Sequence, residues 1–143
     1  MTRSFAYPIH LRRDRQDGGF VVSCRDIPEV ITQGDDTASA IVEAEGALQA
    51  AIESRIEDGM DIPLPSGARR GERLVSPPVG TVLKAAVYLA MREDRVSKSQ
   101  LARQLDVHER EVRRWLDPAH PTKVPALERA LAALGRRVAV EIA

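Results

Sequence analysis

Arginines at helical spacing are the residues of this sequence whose type and position point most directly to a chemistry. Over residues 108–116, Val112, Trp115 and Leu116 fall on one face of a helix, and charged side chains occupy the other. The fork of N–H donors on an arginine matches the acceptors that guanine presents in the major groove of DNA. The side chains that we predict to contact DNA from this helix are His108, Glu109, Arg110, Arg113 and Arg114.

A second helix is predicted just before this one, and the pair has the order of a helix-turn-helix. Ser97 can cap it, and Gln100 can reach back to the N–H of Ser97 in a capping box. Ala102 is a small contact residue where two helices would cross steeply. Asp106 stands in the turn, where it must tolerate a left-handed backbone. The side chains predicted to contact phosphates are Lys98, Gln100 and Lys123.

Two alternatives to this interpretation stay open at the level of sequence. The two helices could form an ordinary helical hairpin whose charged face is simply solvated. Glu109 and Glu111 could accept hydrogen bonds from cytosine, or they could pair with Arg113 along the helix. The cap, the small residue, the turn and the basic face occur in the expected order, which favours DNA binding.

Acidic residues are the other candidates for chemistry, and their positions argue against catalysis. Two metal ions in a nuclease-like site need several carboxylates that converge on one point. The acids of the N-terminal half instead fall in turns and at a helix start, where carboxylates ordinarily accept from backbone N–H groups. They are Asp14, Asp17, Asp26, Asp35 and Asp36. The three histidines lack the neighbours of a zinc site, and Cys24 is expected in a buried strand. We therefore predict no enzyme activity, no metal and no cofactor.

The composition indicates a cytoplasmic protein with a small aliphatic core. The chain has 143 residues, of which 3% are aromatic, and its single cysteine excludes an internal disulfide bond. No run approaches the roughly 20 apolar residues that a membrane span needs, and the N-terminal residues lack the apolar segment of a signal peptide. Residues 1–75 carry 9 basic and 13 acidic side chains, whereas residues 76–143 carry 12 and 8. Net charges of −4 and +4 suggest two modules with different partners.

The N-terminal half is predicted to be a small antiparallel sheet covered by one helix. Strands are expected over residues 4–13, 20–25, 30–34 and 74–75. Asp35, Asp36 and Thr37 offer caps to a long helix that is expected to end at Gly59, with its apolar residues on one stripe. Such a helix covers one face of the sheet.

Residues 81–143 are predicted to be a second, all-helical module. The prolines and glycine of residues 76–80 suggest a linker. Thr81 is expected to cap a helix that supports the predicted pair. A last helix is expected to run from about Pro125 to a left-handed cap at Gly135.

The C-terminal residues alternate in a two-residue period, which is typical of a strand. A lone terminal strand is unstable by itself, so we predict that it pairs with its copy in a second subunit. The residues expected at this contact are Val138, Val140 and Ile142. The chain would then be a homodimer or a higher even oligomer, whose two-fold symmetry suits a palindromic DNA site.

Short motifs along nearly the whole chain carry a family resemblance. In the N-terminal half they are Tyr7-Pro8, Gly18-Gly19-Phe20, Ser23, Asp26-Ile27-Pro28, the run from Ile31 to Asp35 and the alanine-rich helix to Leu48. In the C-terminal half they are Ala90-Met91-Arg92, Ser97-Lys98, Leu101-Ala102-Arg103, Val112-Arg113-Arg114, Asp117-Pro118, His120, Thr122-Lys123 and the run from Leu131 to Gly135. In this order and spacing the chain resembles the HicB-type antitoxins, the partners of small HicA-type toxins that cleave RNA.

The resemblance implies an α+β fold with two domains. Residues 1–76 would form a partial ribonuclease-H-like β-β-β-α-β domain that binds the toxin and covers its active site. Residues 81–143 would form a lambda-repressor-like helix-turn-helix domain that represses the operon of the chain by binding promoter DNA. The residues predicted to contribute to the toxin surface are Tyr7, Phe20, Asp26, Ile27 and Pro28. Tyr7 and Phe20 could equally be core residues, because aromatic side chains are scarce here.

The sequence departs from the family pattern at three places. Cys24-Arg25 stands where the family commonly has Phe-Pro, Glu29-Val30 replaces a usual Gly-Cys, and Asp36 replaces a usual Thr. The first two lie beside the predicted toxin-facing turn.

The alternative function is a free-standing helix-turn-helix regulator whose N-terminal domain senses a small ligand or only dimerises. A neighbouring reading frame for a small basic protein would favour the antitoxin.

Overall fold

The structure, a computed structural model, describes residues 2–143 and is a mixed α+β fold. Its strands are β1 (Tyr7–Arg13), β2 (Phe20–Cys24), β3 (Ile31–Gly34) and β4 (Glu72–Val75). Its helices are α1 (Thr37–Glu57), between β3 and β4, and then α2 (Val79–Asp94), α3 (Lys98–Leu105), α4 (Glu109–Leu116) and α5 (Val124–Ala133). Within this described part, no helix is both long and apolar enough to cross a membrane.

The four strands form one antiparallel sheet in the order β3-β2-β1-β4. Ile9 of β1 lies opposite Cys24 of β2, and Tyr7 lies opposite Val75 of β4. These side chains are buried, and so is Val22, because alternate residues of each strand point to the face that α1 covers. The predicted sheet and its covering helix are confirmed.

Helix α1 is capped by Asp36, one of the three residues that the sequence offers as caps. The carboxylate of Asp36 accepts from the Ser39 N–H at 2.8 Å, and the Ser39 hydroxyl accepts from the Asp36 N–H at 3.1 Å. The buried residues of the helix are Ala40, Ala44, Leu48, Ala51, Ile52 and Ile56. At the close approach between β3 and α1, a Cβ atom on Gly34 would lie 2.4 Å from the backbone nitrogen of Ala40.

Helix α2 packs against both halves of the chain. Its buried residues point in several directions, toward α1 on one side and toward α4 and α5 on the other. Tyr88 donates from its hydroxyl to the Met60 carbonyl at 2.7 Å, and Arg92 pairs with Asp61 at 2.7 Å, in the loop after α1. The described hydrophobic core is therefore continuous across the predicted domain boundary. The division into residues 1–76 and 81–143 itself stays a prediction.

Several predicted boundaries are wrong by a few residues, and each has a physical reason. The first three strands are shorter than predicted because strand pairing stops at one end of the sheet. The last pairs there are Tyr7–Val75, Ile9–Cys24 and Ser23–Ile31. Thr81 does not cap α2. The helix begins at Val79, inside the predicted linker, and Thr81 is buried in its first turn. Gly135 has the predicted left-handed backbone, with φ at 75°.

Candidate DNA interface and partner surface

Helix α4 presents a charged face to solvent because its apolar side chains are used on the other side. Val112, Trp115 and Leu116 are buried, whereas the three arginines predicted to contact DNA are exposed. They are Arg110, Arg113 and Arg114. His108 precedes the helix and is exposed, without a side-chain bond to the helix start. The predicted separation of the two faces is confirmed.

Acidic residues on the same helix hold two of these arginines. Arg113 donates to the carboxylate of Glu109 at 2.9 Å, and Arg114 donates to that of Glu111 at 3.3 Å. The pairing of Glu109 with Arg113 is thus the arrangement found without DNA. Arg110 makes no ion pair with another described residue. Exposed pairs of this kind are weak, so a nucleic acid could displace the carboxylates at little cost.

The preceding helix, α3, has the start and the end that the sequence predicts. The Ser97 hydroxyl accepts from the Gln100 N–H at 3.1 Å, and the Gln100 side chain accepts from the Ser97 N–H at 2.8 Å. Asp106 follows the helix with φ at 53°, in the left-handed region. Lys98 and Lys123 are exposed, and the side-chain amide nitrogen of Gln100 makes no hydrogen bond to another described residue.

A buried lysine beneath α4 escaped the sequence analysis. Lys84 of α2 is 7% exposed, and its ammonium donates to the carbonyls of Asp117 at 2.5 Å, His120 at 2.6 Å and Arg114 at 3.3 Å. Burial lowers its pKa. The only signal in the sequence is its spacing, since it stands among inward positions where lysine is rarely found.

The residues predicted for the toxin surface are divided between core and surface. Tyr7 and Ile27 are fully buried, so neither offers its side chain to a partner. The core alternative for Tyr7 is therefore correct. Phe20 is partly buried beneath the guanidinium of Arg13, which lies 5.8 Å from its ring centre. Pro28 is exposed at the tip of a turn closed by the Val30 N–H and the Ile27 carbonyl at 3.0 Å.

Asp26 is used inside the chain to hold the loop that follows α1. Its carboxylate accepts from the backbone N–H and the hydroxyl of Ser66, both at 2.7 Å. Tyr7 donates to the Pro63 carbonyl of the same loop at 2.7 Å. Two residues predicted to face a toxin thus tie this loop to the sheet.

The departures from the family pattern also have internal partners. Arg25 donates to both carboxylate oxygens of Glu72 within 3.2 Å. Glu29 accepts from Arg55 of α1 at 2.7 and 2.8 Å. These contacts lower the pKa of Glu72 and of Glu29. Arg25 and Glu29 therefore fasten the turn that carries Pro28 to β4 and to α1.

The C-terminal residues form no strand within the single described chain. Arg136 anchors their start by pairing with Glu93 at 2.8 Å and with Asp94. Val138 packs against the core, while Val140 and Ile142 are 79% and 87% exposed. The dimer contact stays a prediction, because a strand here needs a partner strand.

The acidic residues near the N-terminus have structural partners of their own. Asp14 accepts from the N–H groups of Gln16 at 3.0 Å and Asp17 at 3.3 Å, within the hairpin turn. Among residues 2–143, no group of three or more His, Cys, Asp and Glu side chains is arranged to hold a metal ion. Burial raises the pKa of the Cys24 thiol, which opposes formation of a reactive thiolate.

Comparison with known proteins gives one consistent result. Residues 6–86 match the family model described as the HicB_like antitoxin of a bacterial toxin-antitoxin system. The chain is 33% identical over 138 residues to Antitoxin HicB 2 of Photorhabdus laumondii, covering 96% of each protein. It is 32% identical to Antitoxin HicB of Escherichia coli K12, over 94% of this chain and 96% of that protein. Antitoxin HicB of Pseudomonas fluorescens is 31% identical over 143 residues, with 99% and 98% covered.

Proposed function

The chain belongs to the HicB-like antitoxin family of bacterial toxin–antitoxin systems, and from this premise we propose that it masks a toxin and represses its own operon. The toxin is a small HicA-type protein that cleaves RNA. The similarity to proteins named as antitoxins over nearly their whole length is the observation that carries the proposal. The antitoxin acts in the cytoplasm, without catalysis and without a cofactor.

In this proposal the N-terminal half, with a partial ribonuclease-H-like fold, holds the toxin. The accessible contact residues are Pro28 and the exposed part of Phe20, and Ile31 lies next to this turn with 72% of its side chain exposed. Tyr7, Asp26 and Ile27 act from beneath by holding the turn and the loop after α1. An apolar tip on a firmly held turn can bind a partner without much loss of conformational entropy.

In the C-terminal half, α3 and α4 act as a lambda-repressor-like helix-turn-helix. Helix α4 enters the major groove, where Arg110, Arg113 and Arg114 reach base edges, with His108 and Glu109 at its start. Phosphates are contacted by Lys98, Gln100 and Lys123. Two copies, paired through Val138, Val140 and Ile142, place two such helices on a palindromic operator. Val140 and Ile142 are exposed in the single chain, which supports this contact, because burying aliphatic side chains against a second copy is energetically favourable.

Co-expression with the small reading frame next to its gene tests the toxin-masking part. We expect the chain to capture that protein in a stable complex and to abolish its RNA cleavage. Pro28→Arg should weaken the complex, because the exposed turn gains a long charged side chain. Val42→Arg is the matched control, since Val42 is 64% exposed on α1, away from the turn.

The possible outcomes separate the two function classes. A chain that captures no partner but still binds its own promoter would contradict the antitoxin function and leave a free-standing regulator. Equal weakening of the complex by Pro28→Arg and Val42→Arg would contradict the turn as the contact. Val140→Asp should lower the oligomeric state measured by light scattering and reduce operator binding, and an unchanged oligomer would contradict the predicted strand pairing.

A further inference from the structure

Helix α4 is short, and its C-terminal end needs partners from outside the helix. It has eight residues, so the carbonyls of its last four residues, half of the total, have no N–H donor within the helix. Within the helix and the turn after it, the Asp117 N–H donates to the Arg114 carbonyl at 3.1 Å and the His120 N–H donates to the Asp117 carbonyl at 3.0 Å. The same two carbonyls also accept from Lys84 of α2.

The Lys84 ammonium is fully matched by these carbonyls. An ammonium group has three N–H donors, and Lys84 has three carbonyl acceptors, on Arg114, Asp117 and His120. Burying a charge without such partners would be strongly unfavourable. The partial negative charge at the end of a helix adds a favourable interaction with a cation. The carboxylates of Asp117 and Glu53 act on Lys84 only through their charge.

The apolar contacts of α4 do not by themselves fix its orientation, and Lys84 supplies the directional bonds. Trp115 and Leu116 hold the helix against the core, but hydrophobic contacts have little directionality. The hydrogen bonds of Lys84 are directional, and they fix the end of α4 and the turn after it relative to α2. A half-open cavity of about 180 Å³, lined by Glu53, Lys84 and His120 among others, lies beside this contact, so side-chain packing alone does not fill the space.

We propose that Lys84 is a positioning residue for DNA recognition, which sets the orientation of α4 from beneath without touching DNA. The inference rests on the proposed operator binding. Arg113 and Arg114 stand on the turn of α4 that Lys84 holds, so a loosened end would misplace the side chains that read bases. Contacts to phosphates carry no sequence information. A displacement of the base-reading side chains should therefore weaken binding to the promoter more than binding to an unrelated sequence.

The test measures binding of the full chain to two DNA duplexes of equal length, its own promoter and a scrambled sequence. Lys84→Met has nearly the same length but no donors. We expect it to lower the ratio of promoter affinity to scrambled affinity by about tenfold or more, within the range of one lost base contact. Affinity for the scrambled duplex and binding of the toxin should stay within about twofold of wild type. Arg129→Met, which removes a charge from the exposed side of α5, is the matched control and should preserve the ratio.

The results of this binding test support or overturn the positioning role of Lys84. A Lys84→Met protein that is less stable to urea but keeps the wild-type affinity ratio would overturn it, because Lys84 would then be a stability residue only. If Lys84→Met does not fold, Lys84→Gln, which keeps two N–H donors, replaces it and should lower the ratio by a smaller factor. A wild-type chain that binds both duplexes equally would contradict the proposed operator binding itself, and the inference would fall with it.

Discussion

The Tyr7 phenol is a buried donor of the N-terminal core, and its hydroxyl reaches the Pro63 carbonyl at 2.7 Å. Burial raises its pKa above the ordinary value of about 10, at which a phenol is already protonated at neutral pH. Tyr7→Phe leaves that carbonyl without this donor and should lower the free energy of unfolding by about 1 kcal/mol. Urea denaturation measures this change.

A comparison of stability and binding separates core from surface at this position. Tyr7→Ala should cost about 3–5 kcal/mol, because it also leaves a cavity. The folded Tyr7→Phe protein should bind the toxin as the wild type does, since the side chain does not reach the surface. Weak toxin binding by a Tyr7→Phe protein of wild-type stability would contradict the core assignment.

Arg113, like Arg114, has a defined partner in the free chain, and its proposed contribution to DNA binding can be tested. Its bond to Glu109 must open before it reaches a base. Arg113→Ala should weaken operator binding by about 1–3 kcal/mol and relax the preference at one base pair. Fluorescence anisotropy with operator duplexes changed at single positions measures both effects.

Two results would argue otherwise for Arg113. A uniform loss of affinity for all duplexes would make it a phosphate contact. Wild-type affinity for every duplex would remove it from the interface. Arg129→Ala, on the exposed side of α5, is the control for the loss of one positive charge.

Among the helices and strands, the features that the sequence predicts are those that depend on interactions between neighbouring residues. The capping box at Ser97 and the left-handed cap at Gly135 depend on neighbouring residues, and the sequence predicts both. The stripe on α1 also follows from residue periodicity. The helix pair of residues 97–116 could be located for the same reason.

Long-range contacts are what the sequence does not predict. Asp26 meets Ser66 across 40 residues, and Lys84 meets His120 across 36. A polar residue in a turn looks the same in the sequence whether it faces a partner or a distant loop. The burial of Tyr7 and Ile27, and with it the division of the predicted toxin surface, depended on such contacts.

Two glycines of the N-terminal half should respond oppositely to the same substitution. Gly46 is exposed within α1, and a Cβ atom there would meet nothing within 4 Å. Gly46→Ala should raise the free energy of unfolding by about 0.5–1 kcal/mol, because alanine has the higher helix propensity. Gly34→Ala should lower it by about 1–3 kcal/mol, since its methyl group would meet the backbone of Ala40. Urea denaturation compares them, and stabilisation by Gly34→Ala would contradict the close packing of β3 on α1.

The ion pair between Arg25 and Glu72 joins the ends of β2 and β4, and it should appear in the pH dependence of stability. Hydrogen bonds from Arg25 hold the pKa of Glu72 below its usual value of about 4.3. The unfolded chain therefore binds a proton at higher pH than the folded chain does. The contribution of Glu72 is present above its unfolded pKa and is lost as the pH falls through the lower folded value.

Urea denaturation of the wild type and of Glu72→Gln over a series of pH values tests this pair. We expect the wild type to be the more stable protein at neutral pH and the difference to shrink as the solution becomes more acidic. The other carboxylates with lowered pKa are present in both proteins, so the difference isolates Glu72. A difference that stays constant with pH would mean that the pair contributes nothing through charge.

At the scale of the whole molecule, α2 makes the two halves one packed unit. Tyr88 and Arg92 bind the loop after α1, Lys84 holds the end of α4, and the core is continuous between them. The two halves carry net charges of opposite sign. If the proposed toxin and operator bind to opposite halves, packing on this shared helix couples the two binding events.

This packing predicts one cooperative unfolding transition, and the chain carries one natural probe in each half. Cys24, the single cysteine, is buried in β2, and Trp115, the single tryptophan, is buried in α4. In urea, the exposure of Cys24 to a thiol reagent and the fluorescence of Trp115 should change with the same midpoint, because neither half loses its core alone. Tyr88→Phe combined with Arg92→Ala removes the polar contacts between α2 and the loop after α1, and it should draw the two midpoints apart. Separate midpoints in the wild type would instead mean two independent domains, in which case toxin on one half would leave the orientation of α4 unchanged.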